Sequence, residues 1–232
     1  MASRKPAVLV AGGTGALGAA VLAELLESGY PVTTTWVVEG ERDRIAADFE
    51  GSSGLTLVNA DLMDEEAVEE AVGGVDELGA IVNLVGGFSA PGKVHEADIE
   101  DFEKQLRLNL RPGYLLARAG IPRLIAAGGG AFVGVSARPA LRPFPGAAGY
   151  ITAKAGVLAF IQALDAEYRN DGVRANAILP SVIDTPANRR SQPDADHSKW
   201  VPPQQIAKVV RFLVSHDSAP TSGAAIPVYG RA

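Results

Sequence analysis

The chain reads as short, nearly unbroken apolar runs separated by longer stretches in which apolar residues return every three or four positions. Ala7–Ala11, Val32–Val38, Leu55–Val58, Ala80–Val85, Ala131–Val135, Arg174–Leu179 and Ala224–Val228 are of the first kind. Their shortness, β-branched content and lack of strict alternation predict strands covered on both faces. Ala16–Ser28, Glu41–Glu50, Asp64–Val72, Tyr150–Asn170 and Pro203–Ser215 are of the second kind and predict helices. Glu96–Ala126 predicts one helix or two, with an interruption at Arg111-Pro112-Gly113, since proline removes a helix N–H and crowds the preceding turn. Strand–helix alternation of this length predicts a doubly wound parallel α/β sheet of about seven strands with helices on both faces. No linker, repeat or low-complexity tract divides the chain, so residues 1–232 read as one domain. The one long irregular stretch, near 186–203, is polar and proline-bounded. Loops that long in a compact domain usually serve function, and this one reads as a substrate lid.

Composition narrows the picture. A hydrophobic fraction of 47% over 232 residues excludes a disordered chain and supplies a large core. With 27 acidic against 21 basic residues the net charge is −6, which argues against a nucleic-acid partner held through phosphates. The absence of cysteine excludes disulfides, thiolate metal sites and a cysteine nucleophile, and suits a reducing compartment. His95, His197 and His216 are far apart and lack metal-ligand spacing, so no metal is expected. Met1–Pro6 is basic, but the apolar run Ala7–Ala11 is too short for a signal peptide or a membrane span. The expectation is a cytoplasmic protein with neither membrane nor nucleic-acid partners.

Candidate chemistry begins where the first strand meets the first helix, at Ala11-Gly12-Gly13-Thr14-Gly15-Ala16-Leu17-Gly18. Glycines there allow a tight turn and close approach of the backbone to a pyrophosphate, and the helix start adds free N–H groups and a positive dipole end. An ordinary flexible turn is the alternative; the βαβ context favours a dinucleotide. The acid that binds the ribose hydroxyls of NAD is expected about 20 residues on. That place falls at Trp36, and the next acid is Glu39. Arg42 and Arg44 follow, either reaching a 2′-phosphate or lying on a solvated helix face. The reading is NADP(H) over NAD(H), with Trp36 stacked on adenine or packed in the core.

Tyr150 and Lys154 are four apart, on one helix face. An ammonium beside a phenol favours the phenolate and lowers its pKa, so the tyrosine can exchange a proton with a carbonyl or alcohol oxygen. Ser136 follows the fifth strand, at the end of the sheet where ligands bind, and could hydrogen-bond the same oxygen.

Ala11–Gly18, Asn83-Leu84-Val85-Gly86, Asn109, Ser136, Tyr150/Lys154 and Pro180…Thr185 together resemble the short-chain dehydrogenase/reductase family in order and spacing, over nearly the whole chain. The resemblance implies a Rossmann-type fold and hydride transfer between NAD(P)(H) and a carbonyl or alcohol. It implies that Gly12, Gly18 and the backbone of Thr14, Gly15, Ala16 and Leu17 hold the pyrophosphate. Asp61-Leu62 would hold the adenine, and Asn83, Val85 and Gly86 would form the turn after the fourth strand, two of whose four residues depart from the family's Asn-Asn-Ala-Gly. Tyr150 would be the acid/base; Lys154 would tune it and hold the nicotinamide ribose; Ser136 would orient the substrate; Asn109 would hold a water linking Lys154 to solvent. Pro180-Ser181 replaces the usual Pro-Gly, and Ile183 and Thr185 would contact the carboxamide. The family also implies a dimer or tetramer through the helices of Glu96–Ala126 and Tyr150–Asn170.

Within the family, Val37-Val38-Glu39, Val85-Gly86-Gly87-Phe88 and Leu179–Trp200 resemble dihydropteridine reductases. Those reductases carry an Asp at the place of Trp36 and lack the Ser and Asn present here as Ser136 and Asn109. A full tetrad favours a ketone or oxoacyl substrate, because a carbonyl oxygen gains charge that must be held; a quinonoid dihydropterin is the alternative substrate, and a non-catalytic nucleotide sensor the alternative class. Arg138, Arg142, Arg189 and Arg190 could grip an anionic group or be solvated. Trp200 could anchor the lid or pack as core.

Overall fold

Five apolar residues, Ala7–Ala11, form the interior strand β1 of the computed structural model, which describes residues 5–231. Met1–Arg4, most of the basic N-terminal stretch, and Ala232 lie outside the described residues. All five residues of β1 are buried: Ala7, Leu9 and Ala11 join one core, Val8 and Val10 the other. Burial on both faces is why the run does not alternate. The sheet has seven strands, all parallel, in the order β3-β2-β1-β4-β5-β6-β7. The other six are β2 (Val32–Trp36), β3 (Leu55–Asn59), β4 (Leu78–Asn83), β5 (Gly130–Val135), β6 (Val173–Pro180) and β7 (Ala225–Val228). The winding reverses between β1 and β4, and a ligand crevice opens there beyond the carboxyl ends of the strands.

The helices are α1 (Ala16–Glu27), α2 (Glu39–Asp48), α3 (Glu65–Gly73), α4 (Ile99–Ala126), α5 (Ala148–Tyr168), α6 (Pro186–Ser191) and α7 (Pro203–Val214). On one face α3, α4 and α5 bury Val68, Leu116, Leu124 and Ile161 against the sheet. On the other, α1 and α7 bury Val21, Leu22, Leu25, Ile206 and Val210. No helix among the described residues is long and apolar enough to cross a membrane.

Three sequence expectations are corrected. First, α4 runs without a break through Pro112. Pro112 and Gly113 are both buried, and a Cβ added at Gly113 would stand 3.0 Å from Asn83 Nδ2. The close seat of the helix on the end of β4 overrides the local cost of proline. Second, β2 ends at Trp36 rather than Val38, because Val38 is the N-cap of α2, which starts at Glu39. Third, 186–203 is not structureless. Thr185 caps α6 by accepting from Asn188 N at 3.2 Å, and residues 197–199 form a 3-10 turn. A parallel bridge between Ile183 and Val201 ties the neck of this segment, and Trp200 is buried at its end.

The glycine turn sets how closely α1 can sit. Gly12 has φ +80°, left-handed backbone that favours glycine. A Cβ at Gly18 would lie 2.4 Å from the carbonyl oxygens of both Gly12 and Gly13, so α1 rests directly on the turn's backbone. In contrast, a Cβ at Gly40 in α2 meets nothing within 4 Å. Gly18→Ala is therefore expected to lose about 2–3 kcal/mol in urea unfolding, while Gly40→Ala gains about 0.5 kcal/mol by removing backbone entropy from the unfolded chain. Equal effects at the two positions would show that the turn does not set the seat of α1.

Candidate active site

At the start of α1 the N-cap is Gly15, with no side-chain cap and no acidic residue in the first turn. The first N–H groups are therefore free to meet an anion, at the positive end of the helix dipole. A Cβ at Gly15 would find only Gly12 O, at 3.6 Å, so this side of the turn is open. Together the bare turn and the uncapped helix form a cradle that suits a pyrophosphate. A cleft of about 350 Å³ extends from it. Gly12, Thr14, Gly15, Trp36, Asp61, Leu62, Val85 and Gly86 line it, with Trp36 and Asp61 side by side at the ends of β2 and β3. Ala16, Leu17 and Gly18 carry the adjoining first turn of α1. Asn83 is buried, and its Oδ1 accepts from Val85 N at 3.1 Å, shaping the turn after β4.

Beyond Gly86 stand the residues of the expected proton machinery. A Cβ at Gly86 would lie 2.5 Å from Asn109 Oδ1 and 2.9 Å from Lys154 Nζ, so glycine lets this backbone touch both. Asn109, from α4, clamps Gly87: its Oδ1 accepts from Gly87 N at 3.1 Å and its Nδ2 donates to Gly87 O at 3.2 Å. Lys154 is buried and donates from Nζ to Val135 O at 3.0 Å. Ser136 is buried too, and its Oγ donates to Lys154 O at 2.6 Å. Tyr150, one helical turn before Lys154, has its ring centroid 5.9 Å from Nζ and the edge of Phe88 against it, with centroids 5.0 Å apart.

Two expectations change here. Burial pushes the Tyr150 phenol up to about 12. Burial also pushes the Lys154 ammonium down to about 8. The expected lowering of the tyrosine by its lysine is thus not what this arrangement shows; desolvation of the phenol dominates, and Nζ is turned to the Val135 carbonyl. Second, the Ser136 hydroxyl spends its proton on a helix carbonyl rather than presenting it to the cleft.

Pro180, Ile183 and Thr185 lie at the end of β6 and the neck of the following segment, and none lines the cleft. The Thr185 hydroxyl is taken up in capping α6. The arginines considered for anionic groups are mostly engaged. Arg189 is paired with Asp184, at 2.5 and 2.7 Å, and Arg138 lies 5.1 Å over the Tyr229 ring. Arg142 and Arg190 are exposed. Trp200 packs against His197, with ring centroids 4.3 Å apart. Sequence reasoning missed Glu41, which lines the cleft from the first turn of α2. It also missed a second cavity of about 360 Å³ that reaches Tyr150 and is walled by Val94, Ile99 and Phe102. Its only signal was apolar residues in an otherwise polar stretch.

The arrangement is one that many proteins share. Residues 6–196 match the family model for short chain dehydrogenase. The chain belongs to the short-chain dehydrogenase/reductase family. Among its relatives is 2-(R)-hydroxypropyl-CoM dehydrogenase of Xanthobacter autotrophicus, 33% identical over 75% of this chain and 76% of that one. Cyclohexanol dehydrogenase of an Acinetobacter species is 27% identical over 98% of this chain and 94% of its own. A short-chain type dehydrogenase/reductase from Mycobacterium ulcerans shares the fold with a TM-score of 0.93 at 23% identity, covering 100% of this chain and 90% of that chain. As a short-chain dehydrogenase/reductase, the protein is an NAD(P)-dependent oxidoreductase.

Stability near the site carries a pH signature. An unfolded lysine keeps its proton to about 10.5, while Lys154 loses its own near 8. Below pH 8 the folded state carries the full cost of a buried charge; between pH 8 and 10 the unfolded chain binds more protons, and stability from this group rises with pH. Above pH 10 the sign turns, because Tyr150 holds its proton to about 12 in the folded state. Lys154→Met is expected to be about 1–2 kcal/mol more stable than the wild type at pH 7, net of one lost hydrogen bond. That advantage should shrink between pH 8 and 10. A variant less stable at pH 7, with a constant difference to pH 10, would show that the ammonium is not a net burden.

Proposed function

We propose that the protein reduces or oxidises a carbonyl/alcohol pair, with Tyr150 as the proton donor and acceptor. The observation that carries this reading is the buried Lys154 ammonium, held by Val135 O between the cleft wall at Gly86 and the Tyr150 ring. A bound nicotinamide dinucleotide supplies or receives the hydride. The glycine cradle fits its pyrophosphate and Asp61-Leu62 its adenine, and Gly86 lets the cleft wall close directly onto Lys154, which would hold its ribose. The Tyr150 phenol, fully protonated at neutral pH, donates to the substrate oxygen as charge develops on it. Lys154, with a pKa of about 8, lies one turn away and favours the phenolate that results. Asn109 holds Gly87, and with it the loop that faces the substrate. Pro180, Ile183 and Thr185 close the carboxamide end, and the segment 186–203 covers the substrate.

A ketone or secondary alcohol is the first choice of substrate, in keeping with the names of the hydroxypropyl-CoM and cyclohexanol relatives. The alternative is a quinonoid dihydropterin, which needs only a hydride and a proton donor; the engagement of Ser136 Oγ with Lys154 O favours it. For the cofactor, a cleft without a carboxylate at Trp36 supports NADP(H), whereas Glu41 in the same cleft supports NAD(H). The exposed Tyr114 on α4, with its ring 6.1 Å from that of Phe160 on α5, supports self-association through these helices.

The test follows loss of reduced-nicotinamide absorbance with a panel of ketones and with quinonoid dihydropterin. Turnover of ketones is expected, and Tyr150→Phe should lower it by about 10²–10⁴-fold while the nucleotide still binds. An unchanged rate in that variant would remove Tyr150 from the chemistry. Turnover of the pterin alone would select the second reading.

A further inference from the structure

The cleft contains a carboxylate at the place where the sequence supplies none. Glu41 lies in the first turn of α2 and lines the cleft beside Thr14 and Trp36. Its Oε2 accepts from Thr14 Oγ1 at 2.7 Å. Arg44, one turn further along α2, donates to the carbonyl oxygen of Thr14. The start of α2 is thereby latched onto the glycine turn through both the side chain and the backbone of Thr14. Glu41 Oε1 has no hydrogen-bond donor among the described residues.

The two arginines expected to reach a 2′-phosphate are turned to other work. The Arg42 guanidinium stacks 4.8 Å from the Trp36 ring centroid and pairs with Asp43 Oδ1 at 2.7 Å. Arg44 is occupied by Thr14 O. Neither lines the cleft, while Glu41 does. The carboxylate of Asp61, which follows the neighbouring strand β3, accepts from Met63 N at 2.9 Å and belongs to its own turn. The charge facing the space between the glycine turn and Trp36 is therefore negative. A ribose 2′-hydroxyl placed there donates to a carboxylate oxygen; a 2′-phosphate placed there meets like charge, and the two nearby guanidinium groups are already engaged by Trp36, Asp43 and Thr14 O.

We infer that Glu41 is the specificity-determining residue for the adenosine ribose, selecting NAD(H) and rejecting NADP(H). This rests on the dinucleotide reading of the cleft and reverses the cofactor form expected from Trp36, Arg42 and Arg44. The discriminating acid has moved from the end of β2 to the first turn of the next helix, with Thr14 as the hydroxyl that aims it.

The experiment is a fluorescence titration of NADH and NADPH against the intact protein, with no substrate. Wild type should bind NADH about tenfold or more tightly than NADPH. Glu41→Gln keeps the shape and a carbonyl acceptor for the ribose but removes the charge, and it should bring the ratio toward unity by tightening NADPH. Raising ionic strength gives a second measurement that needs no variant. Salt weakens the hold on the pyrophosphate of both nucleotides alike, so screening of a repelling carboxylate makes NADPH gain on NADH as salt rises, whereas an arginine clamp on the phosphate would make it lose ground. Tighter binding of NADPH than of NADH by the wild type, or an NADPH affinity that falls with salt more steeply than that of NADH, overturns the assignment and leaves the dinucleotide reading intact. A ratio unchanged in Glu41→Gln does the same. Failure to bind either nucleotide overturns both.

Discussion

The buried Lys154 ammonium is the contact through which four parts of the molecule are fixed to one another. Its Nζ holds the carbonyl at the end of β5, touches the backbone after β4 at Gly86, and lies with that glycine against Asn109 of α4. Its own backbone carbonyl receives the Ser136 hydroxyl, so the strand end and α5 are cross-linked twice within two residues. Burial lowers the pKa to about 8, which is the physical mark of a charge kept where solvent would hold it better. A hydrophobic residue of the same length would fill the space at less cost. The lysine is therefore poorly explained by stability, and well explained by what an ammonium does beside a phenol when a proton leaves it.

That local arrangement is possible only because two loops lie side by side where the winding of the sheet reverses. Ala11 of β1 is in register with Asn83 of β4, and Leu84 N donates to Ala11 O at 2.9 Å. The glycine turn after β1 and the turn after β4 therefore leave the sheet together. Gly12 packs within 3.2 Å of the Val85 side chain, measured from a Cβ position that glycine leaves vacant. Anything held by the cradle is consequently placed against Gly86, and so against Lys154. Cradle and proton machinery share one rigid edge of the sheet, and no domain motion is needed to bring them together.

This logic explains which features could be read from the chain. The strands were legible because burial on both faces produces unbroken apolar runs such as Ala7–Ala11, and the two-residue errors at Val38 and Leu78 come from caps and register that no periodicity encodes. Pro112 was misread because a local rule was applied where a tertiary contact decides: α4 must come close to Asn83, and Gly113 allows it. Gly12, Thr14 and Gly15, expected from a turn where backbone approach needs residues of recognisable type, and Asp61, Leu62, Val85 and Gly86, expected from the family resemblance, all line the cleft. The direction of the Tyr150 shift was not legible, since spacing says that a phenol and an ammonium share a helix face but nothing of how deeply each is buried.

Glu41 shows the same limit from another side. A rule that looks for an acid at the end of the second strand treats a distance in space as a distance in sequence. The physical requirement is only a carboxylate within reach of the ribose, and the first turn of α2 lines the cleft together with the strand end, through Glu41 and Trp36. Charge counted along the chain also misleads here. Arg42 and Arg44 outnumber Glu41, yet their guanidinium groups face Trp36, Asp43 and a backbone carbonyl. A ligand responds to the charge that lines its path, and of the three residues only Glu41 lines the cleft. The framework of the sheet can stay constant while such a residue shifts along a helix, which is how one fold accommodates either form of a cofactor without rebuilding its cradle.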